Sequence, residues 1–224
     1  MNHTLTIQPI ARILTDFPAK FGIPRQAGLS EALLGRVVFE QEFRVEEALR
    51  GLGDFSHIWL IWGFSENIGK PWTPTVRPPR LGGNTRMGVF ATRSPFRPNN
   101  LGLSCVRIDR IEEDAKLGPV IYVKGADLMD GTPIYDVKPY VAYADSHPEA
   151  RCGFVDQEEW QALEVDIPAS LGSKLSAEEL TSLRQVLAQD PRPRYQDDPE
   201  RIYGMPFGHY DIRFKVVGRL LTVV

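Results

Sequence analysis

LGLSCVRIDRIEEDAKLGPVIYVKGADL (101–128) contains two runs, LGLSCVRIDRIEE (101–113) and PVIYVKGADL (119–128), dense in β-branched and apolar residues. Both read as strands. Upstream, HIWLIWGF (57–64) is a strong buried strand, and TIQPIARIL (6–14), GRVVFE (35–40) and MGVFATR (87–93) complete a set of at least six. The strands are short, and VEEALRGL (45–52) is the one convincing helix among them, ending at Gly51 or Gly53. Parallel βαβ units need a helix between each pair of strands. The expected class is therefore mainly β, with a closed or sandwiched antiparallel architecture.

The composition shifts near residue 146, and SHPEARCGFVDQ (146–157) reads as a linker. Residues 156–200 hold eleven acids against four Lys or Arg. Within them SAEELTSLRQVLAQD (176–190) predicts a helix. Ser176 caps it, Glu179 closes a capping box, and Leu180, Leu183 and Leu187 form one buried stripe. QDPRPRYQDDPERIYGMPFGHY (189–210) is a long proline-rich excursion, and DIRFKVVGRLLTVV (211–224) reads as a closing strand pair. Two units are expected, a β unit over 1–146 and a small α+β unit over 147–224.

The 224 residues are 42% hydrophobic and 25% charged, as in ordinary globular chains. Neither a signal peptide nor a membrane span is expected. Cys105 and Cys152 have no second cysteine or histidine at ligand spacing, so no metal and no disulfide framework is expected, in keeping with a reducing cytosol. GLGDFS (51–56) is the nearest approach to a dinucleotide fingerprint, but it follows a helical pattern and precedes a strand, the reverse of the required order. The chain has no phosphate-binding loop ending in Gly-Lys-Ser/Thr and no G-x-S-x-G elbow.

The chemistry concentrates in RPPRLGGNTRMGVFATRSPFRPNNLGLSCVRIDR (77–110). This window has seven arginines, no lysine and one acid, Asp109; its charge of +6 leaves about −9 for the rest of a chain of net −3. Proline and glycine interrupt it too often for a helix, so loops hold the guanidiniums of Arg77, Arg80, Arg86, Arg93 and Arg97. Guanidinium forks onto carboxylate or phosphate, which points to a carboxylated small molecule or a nucleic-acid backbone. The plain alternative for any single arginine is an ion pair elsewhere on the chain. Asn99 and Asn100 offer amides for base edges, and Phe96 offers either a stacking face or simple packing.

A second cluster, DLMDGTPIYDVKPYVAYADS (127–146), places Asp127, Asp130 and Asp136 around a Gly-Thr-Pro turn, followed by Lys138, Tyr140 and Tyr143. Asp130 has two readings: ordinary turn chemistry, or a carboxylate at the mouth of a barrel that holds a ribose hydroxyl or an amino group. His57 begins an apolar strand and, alone, is more often structural than catalytic.

PRLGGNTRMGVFATRSPFRPNNLGLS (79–104) together with DLMDGTPIYDVKPY (127–140) closely resembles the TsaA-like family, whose bacterial members are tRNA methyltransferase O. FGIPRQAGL (21–29) and LAQDPRPRY (187–195) are similar to further pieces of it, so the likeness covers nearly the whole chain. The resemblance implies an antiparallel β-barrel methyltransferase that uses S-adenosylmethionine. It implies methylation of N6 of threonylcarbamoyl-adenosine beside the anticodon of tRNA, in a cytoplasmic homodimer, with a C-terminal unit of the bacterial pattern. Carried onto this sequence, the donor-binding residues are Gln26, Ala27 and Gly28, then Glu66 and Asn67, Arg93 and Leu103, and the turn Asp130, Gly131, Thr132 and Pro133. FSENIGKPW (64–72), around Glu66 and Asn67, departs most from the family pattern.

An acylated target nitrogen is a poor nucleophile whose proton is more acidic than that of adenine's amine, so an in-line displacement with a positioned base is expected. Asp130, Asp136 and His57 are the candidates, with Asp130 preferred for proximity to the donor. The threonyl carboxylate of the modified base is a second anion, for which Arg86, Arg97 and Arg194 are candidates. Local phosphate contacts dominate nucleic-acid affinity, so a net-negative chain is compatible with a tRNA partner. The competing readings are a non-catalytic S-adenosylmethionine sensor and a methyltransferase acting on another small substrate.

Overall fold

The computed structural model describes residues 4–157, 161–192 and 198–224, without the side chains of Arg80 and Gln157. Strands β1 (Ala11–Leu14), β2 (Leu34–Phe39), β3 (His57–Gly63), β4 (Thr75–Val76), β5 (Met87–Gly88), β6 (Leu101–Asp114), β7 (Gly118–Lys124) and β8 (Thr132–Pro139) precede a short helix α1 (Ala142–Asp145). Six of them pair in the order β1-β2-β7-β6-β3-β8 and β8 returns to β1, closing the sheet into a barrel. Every pairing is antiparallel, and Ala11 bridges the seam, opposite Phe39 on one side and Ile134 on the other.

Period-two patterning selects the interior face. Ile58, Leu60 and Trp62 of β3 point inward with Ala11 and Ile13, Val37 and Phe39, and Ile121 and Val123. His57, Trp59 and Ile61 take the other face of β3. Closure removes the free edges that an open six-stranded sheet exposes.

The second part comprises β9 (Glu164–Asp166), α2 (Ala169–Gly172), α3 (Ala177–Ala188), β10 (Tyr203–Phe207), β11 (Tyr210–Val217) and β12 (Leu220–Val223). Its sheet has the order β10-β11-β12-β9, with β9 parallel to β12. The capping box at the start of α3 is present, with the Ser176 hydroxyl accepting from the Glu179 N–H and Glu179 accepting in return from the Ser176 N–H. Leu183, Val186 and Leu187 form the buried stripe and Leu180 is half-buried. This core also takes Phe17 and Leu33, with Phe21 and Ile23 against it, from the segment between β1 and β2. Gly22, at φ +96°, lies so close to the buried Met205 that any side chain there collides with the thioether.

Three local expectations need correction. VEEALRGL forms two short 3-10 turns, Glu46–Leu49 and Leu52–Asp54, because Gly51 sits at φ 82° between them and breaks the helical path. MGVFATR is strand for two residues only, Met87–Gly88, and turns at Val89–Ala91. Its partner strand is equally short, and the Thr92 hydroxyl donates back to the Val89 carbonyl, which favours the turn. TPIYDVKP, read as a turn and its polar sequel, is the strand β8 that closes the barrel. Pro133 obscures it, yet near a strand's start the missing N–H is tolerated.

Candidate active site

One end of the barrel gathers the loops 15–33, 64–100 and 125–131, where β1, β3 and β7 finish and β2, β6 and β8 begin. They enclose a cavity of about 600 Å³. Lys20, Arg25, Arg93 and Arg97 face two acids there, Glu66 and Asp127, so the lining carries excess positive charge on an acidic chain. Trp62 and Phe64 supply an aromatic wall, their rings meeting edge to face at 4.3 Å.

Several of these side chains are held by identifiable contacts. Arg93 donates from Nη1 to Gln26 Oε1, joining two loops 67 positions apart in the chain. Arg97 donates to the Thr92 and Ser94 carbonyls at 3.0 and 3.2 Å, which braces its own loop. The Asn100 amide closes the same loop onto the Pro95 carbonyl at 2.7 Å, so Asn100 is architectural. Arg25 reaches the Asp190 and Arg192 carbonyls at 3.5 Å, which ties the C-terminal part to the cavity wall. Asn67 is buried, and Lys20 Nζ stands 3.5 Å from its Oδ1.

Asp127 is the most constrained acid of the site. The Ser104 hydroxyl donates to its Oδ1 at 2.6 Å and accepts from Trp62 Nε1–H at 3.0 Å. Burial raises the Asp127 pKa above the usual carboxylate value, against the opposing influence of the Ser104 hydroxyl, its own backbone N–H, the Arg93 charge and the Ala27 N–H. Gly102 makes this arrangement possible: the Trp62 indole lies over it where a Cβ would sit.

Of the residues anticipated to hold the donor, Gln26, Glu66, Asn67, Arg93, Leu103 and Thr132 line the cavity. The others stand outside the lining. Ala27 packs on the barrel core, and the Gly28 N–H donates to the Gly125 carbonyl at 2.8 Å where two glycine backbones cross. The Gly131 N–H bonds to the Ile13 carbonyl, and Pro133 is opposite Arg12 in the β1–β8 pairing. Asp130 is exposed, and its carboxylate accepts from the Thr15 N–H at 2.9 Å. That is the turn reading of the residue: the side chain fastens the 128–132 bend to the end of β1.

Asp136 and His57 are likewise outside the lining. Asp136 pairs with Lys138 at 2.8 Å. His57 starts β3 at the end opposite the cavity, bonded to the Ser56 hydroxyl at 2.9 Å and six residues from Gly63, about 20 Å of strand. Among the arginines and amides proposed for the second anion or for bases, Arg97 lines the cavity, whereas Arg86 and Asn99 are exposed outside it. Arg86 is braced on the Thr75 hydroxyl at 3.0 Å. Arg194 lies outside the described residues. Arg110 takes the plain reading, paired with Asp109 and Glu112 and stacked 3.7 Å over Tyr122.

Asp127 was visible in the sequence only as one of three neighbouring aspartates. The signal that separates it is the serine on β6, the fourth residue of the motif LGLS, and that pairing needs the fold. Among the described residues no group of three His, Cys, Asp or Glu side chains is placed to hold a metal ion, and no helix is long and apolar enough to cross a membrane.

The family model for the tRNA-methyltransferase O N-terminal domain matches residues 12–146, and that for the TrmO C-terminal domain matches 161–224. The tRNA (adenine(37)-N6)-methyltransferase of Escherichia coli strain K12 is 38% identical over 217 residues, covering 93% of this chain and 92% of that protein. The protein of the same description from Eikenella corrodens is 44% identical over 167 residues, covering 72% of this chain and 91% of its own. The crystal structure of TrmO from Pseudomonas aeruginosa superposes with a TM-score of 0.79 at 33% identity, over 99% of this chain and 97% of that one. With both halves matched in order and nearly full length shared with a solved relative, the chain belongs to the tRNA-methyltransferase O family.

Proposed function

We propose that the protein is an S-adenosylmethionine-dependent methyltransferase acting on N6 of the adenosine at position 37 of tRNA, and that its substrate form is threonylcarbamoyl-adenosine. The observation that carries this reading is the cavity, where guanidiniums and an ammonium face a partly buried carboxylate beside an aromatic wall. S-adenosylmethionine has a carboxylate, a cationic amino and sulfonium end, and a flat adenine, and this donor set suits each. Arg93, oriented by Gln26, suits the carboxylate; Glu66 suits a cationic or hydroxyl group; Trp62 and Phe64 suit the adenine.

When bound, the donor supplies a methyl group on a sulfonium: as the methyl passes to nitrogen, sulfur keeps the electron pair of the broken bond and becomes a neutral thioether. The chain's own part is to orient the target nitrogen and accept the proton it sheds. Lys20 and Arg97 leave positive charge beyond what one donor carboxylate requires, and the threonyl carboxylate of the modified base uses it. The relatives' description as tRNA (adenine(37)-N6)-methyltransferases supports the same chemistry.

We assign the donor site and the reaction to a unit over 1–146 and a tRNA contact to the unit over 147–224, in a cytoplasmic protein. The Arg25 contacts with Asp190 and Arg192 support communication between the two. Apolar side chains stand exposed along the loops that flank the cavity, among them Ile68, Trp72, Phe90 and Leu103. Large apolar side chains exposed in this way favour a cover, and a second copy of the chain in a homodimer provides it.

The test is transfer from labelled donor to tRNA with and without the threonylcarbamoyl group. Label on the modified tRNA alone is the expected result. Donor binding without transfer to any RNA replaces this reading with a sensor, and label on a non-tRNA substrate replaces it with another methyltransferase.

A further inference from the structure

We infer that Asp127 is the proton acceptor of the methyl transfer and that Ser104 and Trp62 are its positioning residues; this rests on the methyltransferase reading above. The geometry fixes the direction of every hydrogen in the chain. Indole nitrogen only donates, so Trp62 Nε1–H must give its hydrogen to Ser104 Oγ at 3.0 Å. The serine hydroxyl then has one hydrogen left, and it goes to Asp127 Oδ1 at 2.6 Å. Oδ1 is thereby held as an acceptor. The Asp127 and Ala27 backbone N–H groups also support the ionised carboxylate, which faces the cavity as the group to take a proton.

The surroundings suit that task. Trp62 and Ser104 are buried and Asp127 lines the cavity, so the carboxylate is oriented from the protein side and open on the substrate side. The charged groups facing the cavity are Lys20 and Arg25 from the 15–33 loop, Glu66 from the turn after β3, and Arg93 and Arg97 from the 89–100 loop. β6 and β8 contribute no titratable side chain to the lining, only Leu101, Gly102, Leu103 and Thr132. The net effect on Asp127 is a raised pKa, caused by burial, which makes it a stronger base than a surface aspartate.

The proton balance is simple. The N6–H bond breaks, its electron pair stays with nitrogen to form the new N–CH₃ bond, and the proton passes to the Asp127 carboxylate. Asp127 then returns the proton to water through the open mouth of the cavity. A ureido N–H is acidic enough for a carboxylate to assist its removal while the nitrogen–methyl bond forms.

The experiment compares wild type, Asp127→Asn and Ser104→Ala in single-turnover transfer to threonylcarbamoyl-bearing tRNA from pH 5 to 9, with donor affinity measured separately by calorimetry. Asp127→Asn is expected to slow transfer about 10²–10⁴-fold while donor affinity stays within about threefold. Ser104→Ala removes a hydrogen bond that favours the ionised form, so the acid limb of its pH–rate profile moves to higher pH. Carbon-13 NMR titration of Asp127 in the donor-free protein shows the same upward displacement. An Asp127→Asn variant as fast as an active wild type removes the base and leaves the methyltransferase reading standing. A wild type that binds donor but methylates no tRNA removes both. If Asp127→Asn fails to fold, the pH profile and NMR shift of Ser104→Ala decide the matter, and absence of both shifts overturns the assignment.

Discussion

Asp127 and Asp130 are three positions apart and do different work. Asp130 satisfies the Thr15 N–H at the end of β1, outside the cavity. Asp130→Ala should therefore cost about 1 kcal/mol of stability and leave the transfer rate within about twofold, measured by denaturation and by single turnover. Asp127 carries an elevated pKa in the folded state, so the folded protein binds a proton that the unfolded chain has already released. The stability this proton gives is full below the ordinary carboxylate pKa and is lost as pH rises through the elevated one. Relative to wild type, the melting temperature of Asp127→Asn should gain steadily over that interval; a constant difference from pH 4 to 8 contradicts the shift. Arg93→Ala should weaken S-adenosylmethionine binding by about 1.5–3 kcal/mol, the value of a charge-assisted hydrogen bond. Calorimetry checks this, and unchanged affinity rejects the role.

Strand β6 starts with Leu101, Gly102, Leu103 and Ser104, which divide three tasks among them. Leu101 and Leu103 border the cavity, Ser104 bonds Asp127, and Gly102 leaves space for the Trp62 ring. Gly102→Ala places a methyl group within the indole, so Trp62 must move and release Ser104. The expected cost is about 1–3 kcal/mol, with a loss of transfer rate similar to that of Ser104→Ala and a changed tryptophan emission. The strands β2, β3, β6 and β7 were legible in the sequence because a run dense in β-branched, apolar and aromatic residues is a local property. Helix α3 was legible for a similar reason, since its capping box lies within four residues. MGVFATR misled because its composition suits a strand, while the pairing needed to sustain one stops after two residues on β4. VEEALRGL misled because a left-handed glycine interrupts a pattern that is otherwise helical.

The two hydrophobic clusters do not divide at one point along the chain. Phe17 and Leu33 leave the barrel's first connection to enter the second core, and Arg25 from the same connection lines the cavity. The C-terminal part is thus fastened to the loop that carries Gln26. The exposed apolar side chains beside the cavity belong to the same level of organisation, since their exposure has consequences for assembly rather than for one residue. Phe90, 73% exposed, contributes little to the folded monomer. Phe90→Asp should preserve the melting temperature while converting a species of twice the chain mass into one of single mass in sedimentation. A wild type of single mass at high concentration ends the dimer proposal.

Local physics was enough to read the β class, the capped helix, the closing strand pair and the two motifs that carry the family likeness. Alternation, caps and turns act over a few residues, and a motif is read from adjacent letters. Which of the seven arginines enter the cavity, and which of the three clustered aspartates is held there, depended on the closed barrel. Arg93 meets Gln26 only because strands far apart in the chain bring their ends to a common rim, and Asp127 meets Ser104 because the register of the β6–β7 hairpin sets them side by side. Electrostatic and hydrogen-bonding roles follow distance in space, and that distance is fixed by the long-range pairing of the sheet.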